Sequence, residues 1–356
     1  MIPFLLEGMD KQFTLRAALA GVTALLASLL LGPRVIAWLR AKKMGERIEK
    51  DDSKRLDAMM KSKQGTPTMG GVFVVAAILL SLALFGNFRQ PVLWVLVGVI
   101  TGLVAVGAKD DWLKLSGACK TGMRARVKLV LQIAIALAAG LGLLLAQRST
   151  DPHAAARLFI PFDGSIDLGW GYVALVALVI VATTNAVNIT DGLDGLAGGC
   201  LSISTFAYAV VAYVVGRQDF SRHLEIAYVS GGAEVTVFCA AMLGATLGFL
   251  WFNSHPAQVF LGDSGSLPLG GALGLVACAT KQEILLLLIG GVFVIEAGSS
   301  LLQILSFKTT GRRIFLIAPL HHHFQFRGLP ETKITMRFWI VGAILAVSSL
   351  SLLKLR

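Results

Sequence analysis

Charge is what this chain has least of. Only 15% of its 356 residues are Asp, Glu, Lys or Arg, where soluble domains carry about 25%. With 55% hydrophobic residues and a mean hydropathy of +0.74, a water-soluble fold is excluded. Cysteine is scarce too. Cys119, Cys200, Cys239 and Cys278 form no C-x-x-C pair and three lie in apolar runs, so they read as small core residues, not as a disulfide or thiolate framework. The first residues lack the basic, apolar, small-residue order of a cleaved leader, so the first apolar run is expected to stay as an anchor.

Apolar sequence is what the chain has in quantity. Runs long enough for about 30 Å of hydrocarbon fall at 16–40, 69–86, 91–108, 127–147, 170–187, 195–216, 233–252, 266–280, 283–307 and 335–353. The fold expected is an all-α polytopic membrane protein of about ten spans, one domain over 1–356. The eighth run is short, which suits a tilted or partly re-entrant helix. The ninth would reach about 37 Å at 1.5 Å per residue, so it must tilt, bend or project, most cheaply at Gly290, Gly291 or Gly298.

Basic residues set the expected orientation. The odd-numbered connections carry eighteen Lys and Arg, and the even connections with both ends carry nine, which puts the odd loops in the cytoplasm and both termini in the periplasm. The net charge of +11 then concentrates on one face, suited to lipid headgroups or phosphorylated substrates. Nucleic acid is not expected, because membrane spans separate the basic loops.

Acids beside hydrocarbon are costly and mark functional sites by default. Asp110, Asp111, Asp191, Asp194 and Asp263 all fall in odd loops, at one expected depth. Asn188-Ile-Thr-Asp191-Gly-Leu-Asp194-Gly-Leu-Ala-Gly-Gly also reads as a polar turn between helices, and Lys109-Asp110-Asp111-Trp-Leu-Lys114 as a solvated helix end. Taken together, hard oxygen ligands next to basic loops describe a Mg²⁺–phosphate site, with neither the crowded carboxylates of a Ca²⁺ loop nor Zn²⁺ ligands. Adjacent acids on a helix point about 100° apart, so Asp110 and Asp111 must do different jobs, and Lys114 shares a face with Asp110. Gly262-Asp263-Ser-Gly-Ser running into a helix offers backbone N–H groups and a carboxylate at one point. Gly65-Thr-Pro-Thr68-Met-Gly-Gly, preceded by Lys63, signals a helix start. The run His321-His322-His323 cannot supply three ligands to one metal; one or two imidazoles donating to phosphate fits better. Glu296 and Gln303 share a helix face that looks into the bundle, Glu296 as a pairing group or cavity lining and Gln303 nearer the site.

Asp110-Asp111 with Lys114, the Asn188–Gly199 stretch, Asn253…Phe260-x-Gly-Asp263-x-Gly-Ser and the histidine run resemble the polyprenyl-phosphate N-acetylhexosamine-1-phosphate transferase superfamily. The Gly65–Gly71 element and Pro-Leu-His-His-His-Phe are similar to its phospho-N-acetylmuramoyl-pentapeptide transferases. The resemblance covers nearly the whole chain. It implies a Mg²⁺-dependent, usually homodimeric enzyme of the bacterial inner membrane, which transfers phospho-MurNAc-pentapeptide from UDP-MurNAc-pentapeptide to undecaprenyl phosphate. It further implies a catalytic set of Asp110, Asp111, Asp263 and His321, with Asp263 and Asp111 at the metal. Substrate contacts would be Lys63, Thr68, Lys114, Lys128, Asn188, Asp191, Asp194, Asn253, Phe260, Gln303, His322 and His323, with Phe260 stacking on uracil and Asp194 accepting from its ring N–H. Gln325 stands where Glu is common, and Cys119-Lys120-Thr-Gly replaces a Thr-Lys-Gly order. Two alternatives remain open at this point, a sister transferase loading GlcNAc-1-phosphate and a secondary transporter; transporters place charged sites in paired repeats near the midplane, which this sequence lacks.

Overall fold

A computed structural model describes residues 13–42, 63–116, 122–160 and 164–353. It is a helical membrane bundle: α1 (Phe13–Ala41), α2 (Gly71–Phe85), α3 (Pro91–Leu115), α4 (Ala125–Arg148), α5 (Gly171–Thr190), α6 (Leu196–Val215), α7 (Gln218–His223), α8 (Gly232–Asn253), α9 (Asp263–Ala279), α10 (Leu286–Ile289), α11 (Gly291–Thr310), α12 (Leu320–Phe326) and α13 (Glu331–Leu352). Among the described residues eight helices, α1, α3 to α6, α8, α11 and α13, are long and apolar enough to cross a membrane. The apolar runs at 69–86 and 266–280 became the shorter α2 and α9.

The element that positions everything else is α9, in which every residue is buried. A helix apolar on all sides belongs inside a bundle, and α9 packs chiefly on α3 and α5, with α2, α6 and α8 completing the jacket. Close approach at its N-terminus depends on missing side chains. A Cβ on Gly107 of α3 would stand 2.1 Å from the Asp263 carbonyl oxygen, and one on Gly71 of α2 would stand 2.1 Å from the Gly265 backbone.

The long ninth run breaks where backbone constraint is least. Gly290 separates α10 from α11, and the freed segment keeps its carbonyls partnered through the bonds from Gly290 N–H to Leu286 and from Val294 N–H to Gly290. One feature departs from an all-helical fold. Between α4 and α5 a two-stranded antiparallel hairpin, β1 (Arg157–Ile160) with β2 (Gly164–Asp167), pairs Arg157 with Asp167 through to Ile160 with Gly164. Far from the acids in sequence, Arg16 of α1 donates to both Glu234 oxygens of α8 at 2.7 Å and to the carbonyl of Phe85, the last residue of α2. A buried pair satisfied in this way fixes three segments against one another. Cys200, Cys239 and Cys278 are free and buried; Cys119 lies outside the described residues.

Gly107→Ala is expected to destabilise the purified protein by about 1–3 kcal/mol through overpacking. Gly98→Ala, on the same helix with nothing within 4 Å of its missing Cβ, is expected to leave the Tm unchanged or slightly raised. Equal effects in thermal unfolding would contradict the packing.

Candidate active site

The last turns of α3 and the first turn of α9 bring three carboxylates together. Ligand oxygens of Asp110, Asp111 and Asp263 all lie within 4.8 Å of one another. The two neighbouring acids of α3 do face different ways. Asp111 accepts the backbone N–H groups of Asp263 at 3.1 Å and Ser264 at 2.9 Å, two of the donors that a helix start leaves unpaired. Asp110 accepts the Met123 N–H at 2.6 Å and pairs with Lys114 at 2.6 Å.

Asp263 is the hub of this cluster. Lys114 and Lys128 reach its Oδ2 at 2.9 and 2.6 Å, and the Asn188 amide donates to its Oδ1 at 2.6 Å and to Ser266 Oγ at 2.8 Å. Burial opposes its ionisation. The hydrogen bond it shares with Asp110 and the two ammonium groups outweigh that burial and hold the carboxyl well below the ordinary range. The site is thus a compact cluster of carboxyl oxygens ringed by cations at a helix N-terminus, the chemistry that receives phosphate or a hard cation.

The 65–71 loop docks on the other side of the same turn. Phe260 N–H donates to Pro67, and Gly70 and Gly71 N–H donate to Phe260 and Leu261, a short strand-like pairing. Met69 turns with a φ of 78°. Thr68 Oγ1 sits against Gly262, where a Cβ would approach it to 2.7 Å and Asp111 equally closely.

A second cluster gathers beside the first. Lys63 Nζ contacts Asp194 at 2.7 Å and also pairs with Glu331 of α13, while its charge lies 5.8 Å from the Phe260 ring centroid. His255 Nδ1 lies 2.9 Å from Asp194 Oδ2, and the Ala257 N–H donates to the same oxygen. Burial would raise the Asp194 carboxyl, but the Lys63 ammonium and these hydrogen bonds prevail and lower it.

The histidine run forms α12. His321 is fully buried with Nδ1 2.7 Å from Glu296; His322 Nδ1 meets Gln325 Oε1 at 2.7 Å; His323 Nδ1 accepts the Leu316 N–H. Burial and the nearby Arg327 lower the His323 pKa, which favours the neutral acceptor seen here.

Not every expected residue faces the acids. Four of the five acids fall in two clusters instead of surrounding one point, Asp110, Asp111 and Asp263 in one and Asp194 in the other; Asp191 follows the C-terminus of α5, where its N–H donates to Asn188. Asn253 uses both amide atoms on backbone, accepting from Gly195 N–H and donating to the Val259 carbonyl. Gln303 clamps the backbone of Ile314 and Phe315. Sequence reasoning passed over Glu331 and His255. Glu331 follows Pro330 and reads as an ordinary helix start, and His255 looks like a turn residue before Pro256. Lys120 lies outside the described residues.

With this geometry in place, the comparisons with known proteins are specific. Residues 93–281, which hold both acids of α3 and the start of α9, match the model described as Glycosyl transferase family 4, so the fold and site define a membrane-embedded transferase of that family. Residues 63–75 match phospho-N-acetylmuramoyl-pentapeptide-transferase signature 1. The chain is 45% identical to the phospho-N-acetylmuramoyl-pentapeptide-transferase of Nitratidesulfovibrio vulgaris strain DP4 over 97% of its own length and 95% of the relative's. Identity is also 45% to those of Granulibacter bethesdensis, over 99% and 97%, and Neisseria gonorrhoeae, over 96% and 94%. The chain belongs to the phospho-N-acetylmuramoyl-pentapeptide-transferase family.

The lowered Asp194 carboxyl makes a signed pH prediction. Its pairing contributes stability above the unfolded pKa of about 3.9, and that contribution is lost as pH falls through the lower folded value. Lys63→Met is expected to cost about 1–3 kcal/mol at pH 7, with the gap from wild type closing below about pH 4. A pH-independent gap in unfolding scans would contradict the pairing.

Proposed function

We propose that this enzyme transfers phospho-MurNAc-pentapeptide from UDP-MurNAc-pentapeptide to undecaprenyl phosphate, giving lipid I and UMP for peptidoglycan synthesis. It does so as a ten-span homodimeric protein of the bacterial inner membrane, with both termini periplasmic and the site on the cytoplasmic face. The observation that carries this reading is the meeting of Asp110, Asp111 and Asp263 with Lys114 and Lys128 at one helix N-terminus.

The nucleophile is a phosphate monoester whose second pKa is about 6, so at neutral pH most of it is already ionised and no strong base is needed. Its oxygen attacks the sugar-side phosphorus, the bridging P–O bond breaks, and UMP leaves with the bonding electrons. The main obstacle is charge, because an anion must approach a diphosphate. Lys114, Lys128 and the N–H groups at the start of α9 offset it in a preorganised site. Asp110 orients the lipid phosphate or takes its remaining proton.

Three carboxylates within 4.8 Å, with no thiolate or imidazole among them, fit a hard cation. Asp111 and Asp263 would hold Mg²⁺, which when bound supplies further charge neutralisation to the diphosphate. Phe260 offers its face to uracil and Asp194 an acceptor to its ring N–H, with Lys63 alongside. Thr68, Asn188, Asp191, Asn253, Gln303, His322 and His323 complete the substrate surroundings, several of them through the loops they brace.

Purified enzyme is expected to release UMP only when UDP-MurNAc-pentapeptide, undecaprenyl phosphate and Mg²⁺ are all present, and to stop on chelation. Preferential turnover of UDP-GlcNAc would overturn the substrate assignment. Asp263→Asn is expected to lower turnover by far more than tenfold; activity within about tenfold of wild type would remove Asp263 from the charge centre.

A further inference from the structure

Glu296 sits inside α11 on an otherwise apolar stretch, completely buried, a costly place for a carboxylate. Its partners are the start of α12. Oε1 accepts the His321 backbone N–H at 3.1 Å, and Oε2 lies 2.7 Å from His321 Nδ1. Ser299, one turn on, accepts the Leu320 N–H and so fixes the same segment. The His321 ring also packs on His322, with centroids 4.1 Å apart.

The other ring nitrogen has a different environment. His321 Nε2 is buried and has no hydrogen-bond partner, and it abuts Gly192, where a Cβ would come within 2.3 Å. Gly192 belongs to the α5–α6 turn that follows Asn188, whose amide holds Asp263. Leaving a buried polar atom unpaired costs about 1–3 kcal/mol. A histidine kept only for packing would not need to bear that cost.

We propose that Glu296 is the positioning residue of His321: it fixes a proton on Nδ1, so that Nε2 presents its lone pair beside the α5–α6 turn and accepts the hydrogen of a protonated substrate phosphate oxygen there. A buried carboxylate orients the imidazole of hydrolytic triads in the same way. The kinetic part of this inference rests on the function proposed above; the protonation part does not.

Glu296→Gln separates the possibilities, because the His321 backbone N–H can only donate. The new amide must keep its oxygen there and turn its NH₂ toward Nδ1, which moves the ring proton to Nε2. The measurement is solid-state NMR of ¹⁵N-histidine-labelled protein in lipid bilayers, with His321 assigned by the signal lost in His321→Asn. Wild type is expected to show a protonated Nδ1 and Glu296→Gln an unprotonated one. In parallel, kcat/KM for UMP release should fall about 10–100-fold, mainly in kcat, but less than about twofold in a His321→Asn background. An Nδ1 that stays protonated in Glu296→Gln, or an equal kinetic loss in both backgrounds, would overturn the proposal. If Glu296→Gln does not fold, Glu296→Asp serves: it keeps both acceptor oxygens and should keep the Nδ1 proton, and a proton found on Nε2 would refute the assignment. A wild-type chain inactive on UDP-MurNAc-pentapeptide would sink the proposed substrates while the NMR result still decides the role of Glu296.

Discussion

Two backbone N–H groups, those of Asp263 and Ser264, govern this protein. They begin a helix enclosed on all sides by other helices, where no solvent is at hand to satisfy them. Asp111 supplies the acceptors from α3. One contact therefore joins the central helix to its main neighbour and draws the adjacent Asp110 and Asp263 to the same spot. The requirement to satisfy the backbone and the requirement to collect charge are met by the same side chains.

Collected carboxylates repel, and the surrounding cations make the arrangement stable. Lys114 reaches Asp110 one turn away on its own helix and Asp263 on another, and Lys128 enters from α4. Asn188 then anchors α5 to the same hub. The second cluster is built similarly but bridges different elements: Lys63 ties the loop before α2 to the α5–α6 turn and to the first turn of α13. Two polar knots, one centred on Asp263 and one on Asp194, thus hold the ends of the bundle around the Phe260 turn.

Much of this was legible in the residues. Apolar run length located the long helices, because span length is set by a fixed hydrocarbon thickness, but α3 continues past the run that ends at 108 to Leu115, and α11 begins only at Gly291 within the run that starts at 283. The break at Gly290 was foreseeable from the excess length of its run. The acids stood out because such residues are rare in apolar surroundings. What could not be read was the partnering. Nothing local says that Asn253 and Gln303 bind backbone, or that Glu331 closes the Lys63 pair across 268 positions. Those outcomes depend on tertiary contacts that no periodicity encodes. The β1–β2 hairpin escaped for a simpler reason, being only four residues per strand.

The central claim is that Asp263 and its two carboxylate neighbours form one cation-accepting oxygen cluster at the start of the buried helix. Electron paramagnetic resonance of Mn²⁺ added to the bilayer-reconstituted enzyme tests it most directly. The account predicts one bound Mn²⁺ per chain, displaced by Mg²⁺ and bound at least about tenfold more weakly in Asp263→Asn. Equal affinity and stoichiometry in the two proteins would contradict it.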